Sequence, residues 1–354
     1  MSARWDLHVR RSGTVRAVVA TAVALEGALA AAWPVWAQPV APASVPDIAT
    51  LDYRLQPRQI APNVWVIEGA VADFEPKNGC NIINTGWIVT PAGVTVVNTG
   101  PSWRYGQQQR HAIEQTLRHS AMLGANHVQQ VLNLNLHPDY FFGNQAWADV
   151  PTRALAGSQA GMQAEGGAYA DNLYALCGDW MKGTESTPAR EVLSAGMQTS
   201  GAQGEPPLEL LRLHGHTADD LVVLDHRSGV VFAGGLVFAE RIPTTPHANL
   251  EAWLASLDQL ERRLADFKLV ALVPSHGPIY PDARGLRQTR DYLSWLRQRL
   301  ADSAAQGLDI SEVLALPLPE PYAHWGAARS EYARNITHLY PAYERAALSV
   351  QPSR

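Results

Sequence analysis

The sequence predicts a four-layer α/β sandwich, stacked helix, sheet, sheet, helix (αββα), and three observations carry that expectation. Short β-branched and apolar runs fall into two sets, one within residues 63–199 and one within 208–281. Each set is followed by stretches whose apolar residues recur at three and four, the helical period. Two sheets that each hand over to helices pack face to face, with the helices on the outer faces. Third, residues able to bind or catalyse stand just past the ends of four apolar runs, where a sheet protein usually places a site: Asn98, His137-Pro-Asp139, His216 and His276.

The elements follow in order. Arg10, Arg11 and Arg16 precede a mostly apolar run over 17–32 that is broken by Glu26, and Val35-Trp36-Ala37 supplies a small-residue exit. A basic start, a short apolar core and such an exit read as a secretory signal peptide over 1–37. The run is too short for a membrane span of roughly 20 apolar residues. Export to the periplasm, with no span left after processing, is therefore expected, and the paired arginines leave the export route open. Residues 38–57 are a Pro-rich linker, and the main domain is expected over 58–315. Strands are predicted at Asn63–Glu68, Asn81–Val89 and Gly93–Val97, the last two joined by the hairpin signal Pro91-Ala-Gly93. A helix from about Tyr105 to Leu123 follows, then strands at 128–134 and 152–156 and a Gly-rich helix over 158–181. The second set reads as strands at Leu208–Leu213, Asp220–Asp225 and Val230–Ala233. Leu250, Trp253, Leu254, Leu257, Leu260 and Leu264 then mark an amphipathic helix. Leu269–Val273 is a last buried strand, Arg284–Leu300 another helix, and the Pro-rich break at Leu316–Pro321 opens a helical extension over 316–354 packed on the domain.

An apolar content of 46% supports a core of ordinary size, and a formal net charge of −5 argues against a nucleic-acid or anionic-membrane surface, which needs a basic excess. Cys80 and Cys177 are the only cysteines. An oxidising compartment would let them pair, but two cysteines make neither a disulfide scaffold nor a thiolate metal site, so the pairing stays open.

A lone histidine at a strand end is usually a hydrogen-bonded structural residue, but four polar strand ends in this order are more specific. The stretch Asn135-Leu-His137-Pro-Asp139-Tyr140, followed by Phe142-Gly-Asn144, resembles the metal-binding loop of the metallo-β-lactamase superfamily, whose signature is His-x-His-x-Asp-His. The likeness extends to the periplasmic zinc metallohydrolases that accompany quinoprotein dehydrogenases and sulfur oxidation, the SoxH-like group. It rests on Asn98-Thr-Gly-Pro-Ser-Trp-Arg-Tyr-Gly106, Gly178-Asp-Trp-Met-Lys-Gly-Thr-Glu185, Phe232-Ala-Gly-Gly-Leu-Val-Phe238 and Arg241-Ile-Pro-Thr-Thr-Pro246.

The resemblance implies two metal subsites. The first would keep His137 and His216 but meets Asn135; the second would keep Asp139 and His276 but meets Tyr140. The bridging carboxylate falls on Gly235, and the Asp of the family's Asp-Thr-Gly turn falls on Asn98. Zinc takes His, Cys or carboxylate ligands, three of them plus water when catalytic, so two per subsite do not sustain a dinuclear centre. At most one zinc ion is expected, held by His137, Asp139, His216 and His276, with Asp139 as the catalytic carboxylate if the protein is active. His214 and His247 are the spare imidazoles, Tyr140 is expected to bond Asp139, and Trp103, Tyr105 and Trp180 are core aromatics or pocket walls. The leading functional expectation is a non-catalytic binding or carrier module, for a small molecule or a periplasmic quinoprotein partner. The alternative is a one-metal zinc hydrolase of an ester, thioester or lactam.

Overall fold

The computed structural model describes residues 45–119, 127–198 and 208–350. The expected signal peptide and its cleavage point lie outside them. The first sheet runs in simple order through β1 (Arg58–Ala61), β2 (Val64–Ile67), β3 (Thr85–Thr90), β4 (Gly93–Val97), β5 (Val128–Leu132), β6 (Thr152–Ala154) and β7 (Glu191–Val192). Its pairs are antiparallel as far as β4 and parallel from there on. In the second sheet β8 (Gly196–Gln198), β9 (Leu208–Leu213), β10 (Asp220–Asp225) and β11 (Val230–Phe232) pair antiparallel, and β12 (Ala271–Val273) joins β11 in parallel.

Helices α1 (Trp103–His119), α2 (Pro138–Phe141) and α3 (Ala156–Cys177) belong to the first half. To the second belong α4 (Leu250–Ala265), α5 (Arg284–Ala305), α6 (Ile310–Ala315), α7 (Glu320–Ala323) and α8 (Ala328–Val350).

The four layers follow from the strand period of two. On β3 and β4, Trp87, Val89, Val94 and Val96 pack outward with Ile113 of α1 and Leu173 of α3, while Ile88 and Val97 face the other way. On β10 and β11, Val222, Leu224 and Val231 pack on Leu257, Leu293 and Ile336 from α4, α5 and α8, while Leu221, Val223, Val230 and Phe232 turn inward. The inward sets of both sheets form one shared core. Strands buried on both faces read as continuous apolar runs, which is why they were legible.

Some boundaries differ from expectation. β1, β7 and β8 were not foreseen; they hold two to four residues each, and β7 is exposed, so no run of alternation marks them. The strand expected from Asn81 starts only at Thr85. The buried Asn84 side chain instead accepts from Gly69 N (3.1 Å) and donates to the carbonyls of Pro274 (3.0 Å) and Gly277 (2.8 Å), tying the two halves together beside His276. α1 begins two residues early because Ser102 Oγ accepts from Tyr105 N (3.1 Å), an N-cap bond. Cys80 and Cys177, both buried, form a disulfide with a Cα–Cα distance of 6.0 Å.

A histidine-lined cavity at the strand ends

After β5 the chain must turn sharply, and neutral amides hold the turn. Asn133 Nδ2 donates to Tyr140 O (3.0 Å), and Thr99 N donates to the same carbonyl (2.9 Å). Asn98, in the left-handed region at φ 57°, uses its side-chain oxygen to accept from Leu134 N at 3.0 Å. Asn98 thus pins the end of β5 to β4. His137 then stands in extended conformation just before Pro138, whose fixed φ suits the first position of α2, and Asp139 falls in the first turn of that helix.

His216 follows β9 through Gly215, where φ is +125° and an added Cβ would sit 2.2 Å from Trp253 N. The turn therefore needs glycine and presses the fully buried His216 ring against Trp253, with centroids 4.9 Å apart. His276 follows β12, stacked flat on Phe238 at 4.8 Å; its Nδ1 lies 2.9 Å from Ser275 Oγ and its Nε2 lies 2.9 Å from Asp139 Oδ2.

Asn135, His137, Asp139, Tyr140, His216, Gly235 and His276 are thereby brought into one neighbourhood. The His137 and His216 rings are 4.8 Å apart, and those of Tyr140 and His276 are 6.3 Å apart. Asn135 Nδ2 donates to Asp220 Oδ1 (2.6 Å) and Thr217 Oγ1 (3.0 Å) and lies 3.4 Å from His216 Nδ1. Asp220 is fully buried and also accepts from Thr217 N at 3.0 Å, so both of its oxygens meet hydrogen-bond donors. Gly235 leaves no space: an added Cβ would lie 2.1 Å from His216 Nδ1 and 3.1 Å from Asn135 Nδ2.

Tyr140 departs from expectation. Its hydroxyl is buried without a hydrogen-bond partner, while Asp139 Oδ2 lies 2.9 Å from His276 Nε2. Burial, reinforced by the Asp139 charge, holds the Tyr140 phenol well above its usual range. The same burial pushes His137 well below the ordinary imidazole value, with the neighbouring histidines adding to it, and lowers His276 to about 4 despite the hydrogen bond to Asp139. His137 Nε2 is also buried and unpartnered.

The cavity is about 260 Å³. His137, Asp139 and His276 line it together with Phe74, Ile82, Tyr169 and Leu176 of α3, Thr244 and Pro246. Glu331, Arg334 and His338 of α8 also line it, a contribution that sequence reasoning did not find. Only helical spacing along α8 links those three, and nothing local in the sequence says what they face. His214 is exposed and does not line the cavity. The His247 ring lies 5.4 Å from that of His137. Trp103, Tyr105 and Trp180 do not line the cavity, and the last two are core residues. Among the described residues, no three His, Cys, Asp or Glu side chains converge closely enough to hold a metal ion as they stand.

Comparison with known proteins agrees with this architecture. The metallo-β-lactamase from Pontibacter korlensis is 22% identical, with a TM-score of 0.50, covering 68% of this chain and 99% of its own. The DIM-1 metallo-β-lactamase exposed to ceftazidime is 18% identical, with a TM-score of 0.52 over 71% and 98% of the two chains. The metallo-β-lactamase from Erythrobacter litoralis, solved with β-mercaptoethanol in its active site, is 19% identical, with a TM-score of 0.50 over 68% and 96%. At these identities the likeness is one of fold. No functionally curated protein matches the chain. The family model of the metallo-β-lactamase superfamily matches residues 78–276, which take in β3 to β12, the His137 loop, His216 and His276, and the chain belongs to that superfamily.

Proposed function

We propose that this chain is a periplasmic binding or carrier module of the SoxH-like branch, a hydrolase fold whose two-metal centre has been lost and whose cavity holds a small molecule. The observation that carries this reading is the packing around Gly235. Where a bridging carboxylate would stand, a Cβ would already lie 2.1 Å from His216 Nδ1. The Asn135 amide that takes the place of the first histidine is directed to Asp220 and Thr217. The superfamily typically binds zinc, but Asn135, Tyr140 and Gly235 do not fit a dinuclear zinc site. An amide is a feeble zinc ligand, and Tyr140 is held neutral by burial. No catalytic step is derived through such a centre.

The cavity suits a small, largely apolar ligand with a few polar groups, since Phe74, Ile82, Leu176 and Pro246 line it beside His137 and Asp139. A quinoprotein dehydrogenase is the partner that the kinship implies.

The test is direct. Zinc-supplemented protein, offered a chromogenic ester, a thioester and a lactam, should turn over none of them faster than zinc in buffer. Native mass spectrometry of protein isolated from periplasm should find a bound small molecule. Zinc-dependent hydrolysis that disappears in His137→Ala would replace this proposal with the one-metal hydrolase.

A further inference from the structure

We infer that the cavity selects a small organic cation, a primary amine on an apolar body, whose ammonium group is held by Asp139 Oδ1 and His137 Nε2. The inference rests on the binding-module reading and names the class of its ligand.

Charge carries the argument. Asp139 lines the cavity and is only 3% exposed. Its Oδ2 lies 2.9 Å from His276 Nε2, and its Oδ1 makes no hydrogen bond among the described residues. An imidazole with the ordinary value of about 6.5 is uncharged at about pH 8, so His276 orients the carboxylate without cancelling its charge. The guanidiniums nearby are already matched. Arg334 reaches Asp73 Oδ2 (2.8 Å) and Glu331 Oε1 (3.0 Å), and Arg241 reaches the same Glu331 oxygen (3.3 Å), so two cations face two carboxylates. One buried negative charge is left over at Asp139, and a buried charge without a counter-charge is strongly destabilising. A ligand with one positive charge supplies what is missing, whereas a carboxylate or phosphate would add to the excess.

The remaining contacts fix which cation. His137, only 8% exposed, also lines the cavity, and its Nε2 has no partner. A neutral ring with its proton on Nδ1 offers that nitrogen as an acceptor. Two acceptors call for N–H donors, which a primary ammonium has and a quaternary one lacks. Phe74 and Tyr169 add aromatic rings to the lining, the Tyr169 ring 6.3 Å from that of His137, and ring faces attract cations. Ile82, Leu176 and Pro246 give the rest of the ligand apolar surface. At about 260 Å³ the cavity lies just under the roughly 300–1,000 Å³ of drug-sized sites, which suits one aromatic ring on a short chain.

The full chain, dialysed against a chelator, is titrated by calorimetry at about pH 8 with phenethylamine, its neutral analogue 2-phenylethanol and the anion phenylacetate; an alkylammonium group stays protonated there. The amine should bind at least about 10-fold more tightly than the alcohol, and phenylacetate should give no binding heat. That comparison needs no variant. Asp139→Asn keeps the size of the side chain and removes its charge, so amine affinity should fall about 10- to 100-fold while affinity for the alcohol stays within about threefold. His137→Phe keeps a flat ring without an acceptor and should weaken amine binding about threefold to 10-fold. Equal affinity for amine and alcohol, or amine affinity unchanged in either variant, would overturn the amine assignment and leave a binding cavity of another selectivity. No binding of the amine would overturn it as well, and native mass spectrometry of the periplasmic protein decides separately whether the cavity holds any molecule.

Discussion

At Gly235 the absence of one carbon decides what the cavity can be. The His216 ring that a Cβ would displace is fixed between Trp253 at 4.9 Å and Phe238 at 5.5 Å, so it has little freedom to retreat. Gly235→Ala should therefore destabilise the protein by about 1–3 kcal/mol, the usual cost of overpacking, read as a lower urea midpoint with an unchanged slope. Replacing Asn135 and Tyr140 by His together with Gly235 and Asn98 by Asp, as the sequence motif invites, cannot restore two subsites unless His216 also moves. Histidine protonation gives a second expectation at this scale. His276, lowered to about 4, and His137, lowered well below its usual value, are both kept neutral by burial. The unfolded chain protonates these rings near pH 6.5, so it binds more protons than the folded chain below that value. Stability of chelator-treated protein should accordingly fall as pH drops from about 6.5 toward 4. His276→Gln, if it folds, should flatten that slope in denaturation curves.

The elements show where sequence reading succeeds. α4 was legible because its buried Leu250, Trp253, Leu257, Leu260 and Leu264 lie on one stripe, and Asn249 caps it by accepting from Ala252 N at 3.0 Å. His137, Asp139, His216 and His276 were found because each stands within a few residues of a buried strand. Their surroundings were not, since the Glu165–His247 contact and the α8 lining of the cavity involve residues far apart in sequence that no local pattern links. The disulfide is of the same kind, joining residues 97 apart in sequence. It ties the end of α3, which presents Tyr169 and Leu176 to the cavity, to the segment that carries Ile82. Cys80→Ser with Cys177→Ser should cost about 2–4 kcal/mol. Thermal melting of the double variant, compared with dithiothreitol-treated parent, should give matching losses.

Across the whole molecule, the second outer core makes α8 part of the main body. Tyr332, Ile336 and Tyr340 are buried against α4 and α5, while Glu331, Arg334 and His338 on the same helix wall the cavity. Removing residues 316–354 would expose that core and open the site at once. The truncated chain should be insoluble or show the fluctuating packing of a molten state, with near-ultraviolet circular dichroism lost before far-ultraviolet.

Arg241 ties these scales together. Its guanidinium is fully buried and reaches the carbonyls of Ala72 (2.9 Å) and Ile242 (3.0 Å) and the carboxylate of Glu331 (3.3 Å). The charged partner comes 90 positions later in the sequence than the arginine. On the ribosome both sheets can therefore be complete while a cation in their midst still lacks its counter-charge, and an uncompensated buried charge is strongly destabilising. Synthesis thus runs well ahead of closure. A message cut short between residues 276 and 331 yields a product that carries His137, His216 and His276 yet lacks the counter-charge for its own buried arginine, and it becomes a substrate for proteolysis rather than a partial version of the protein.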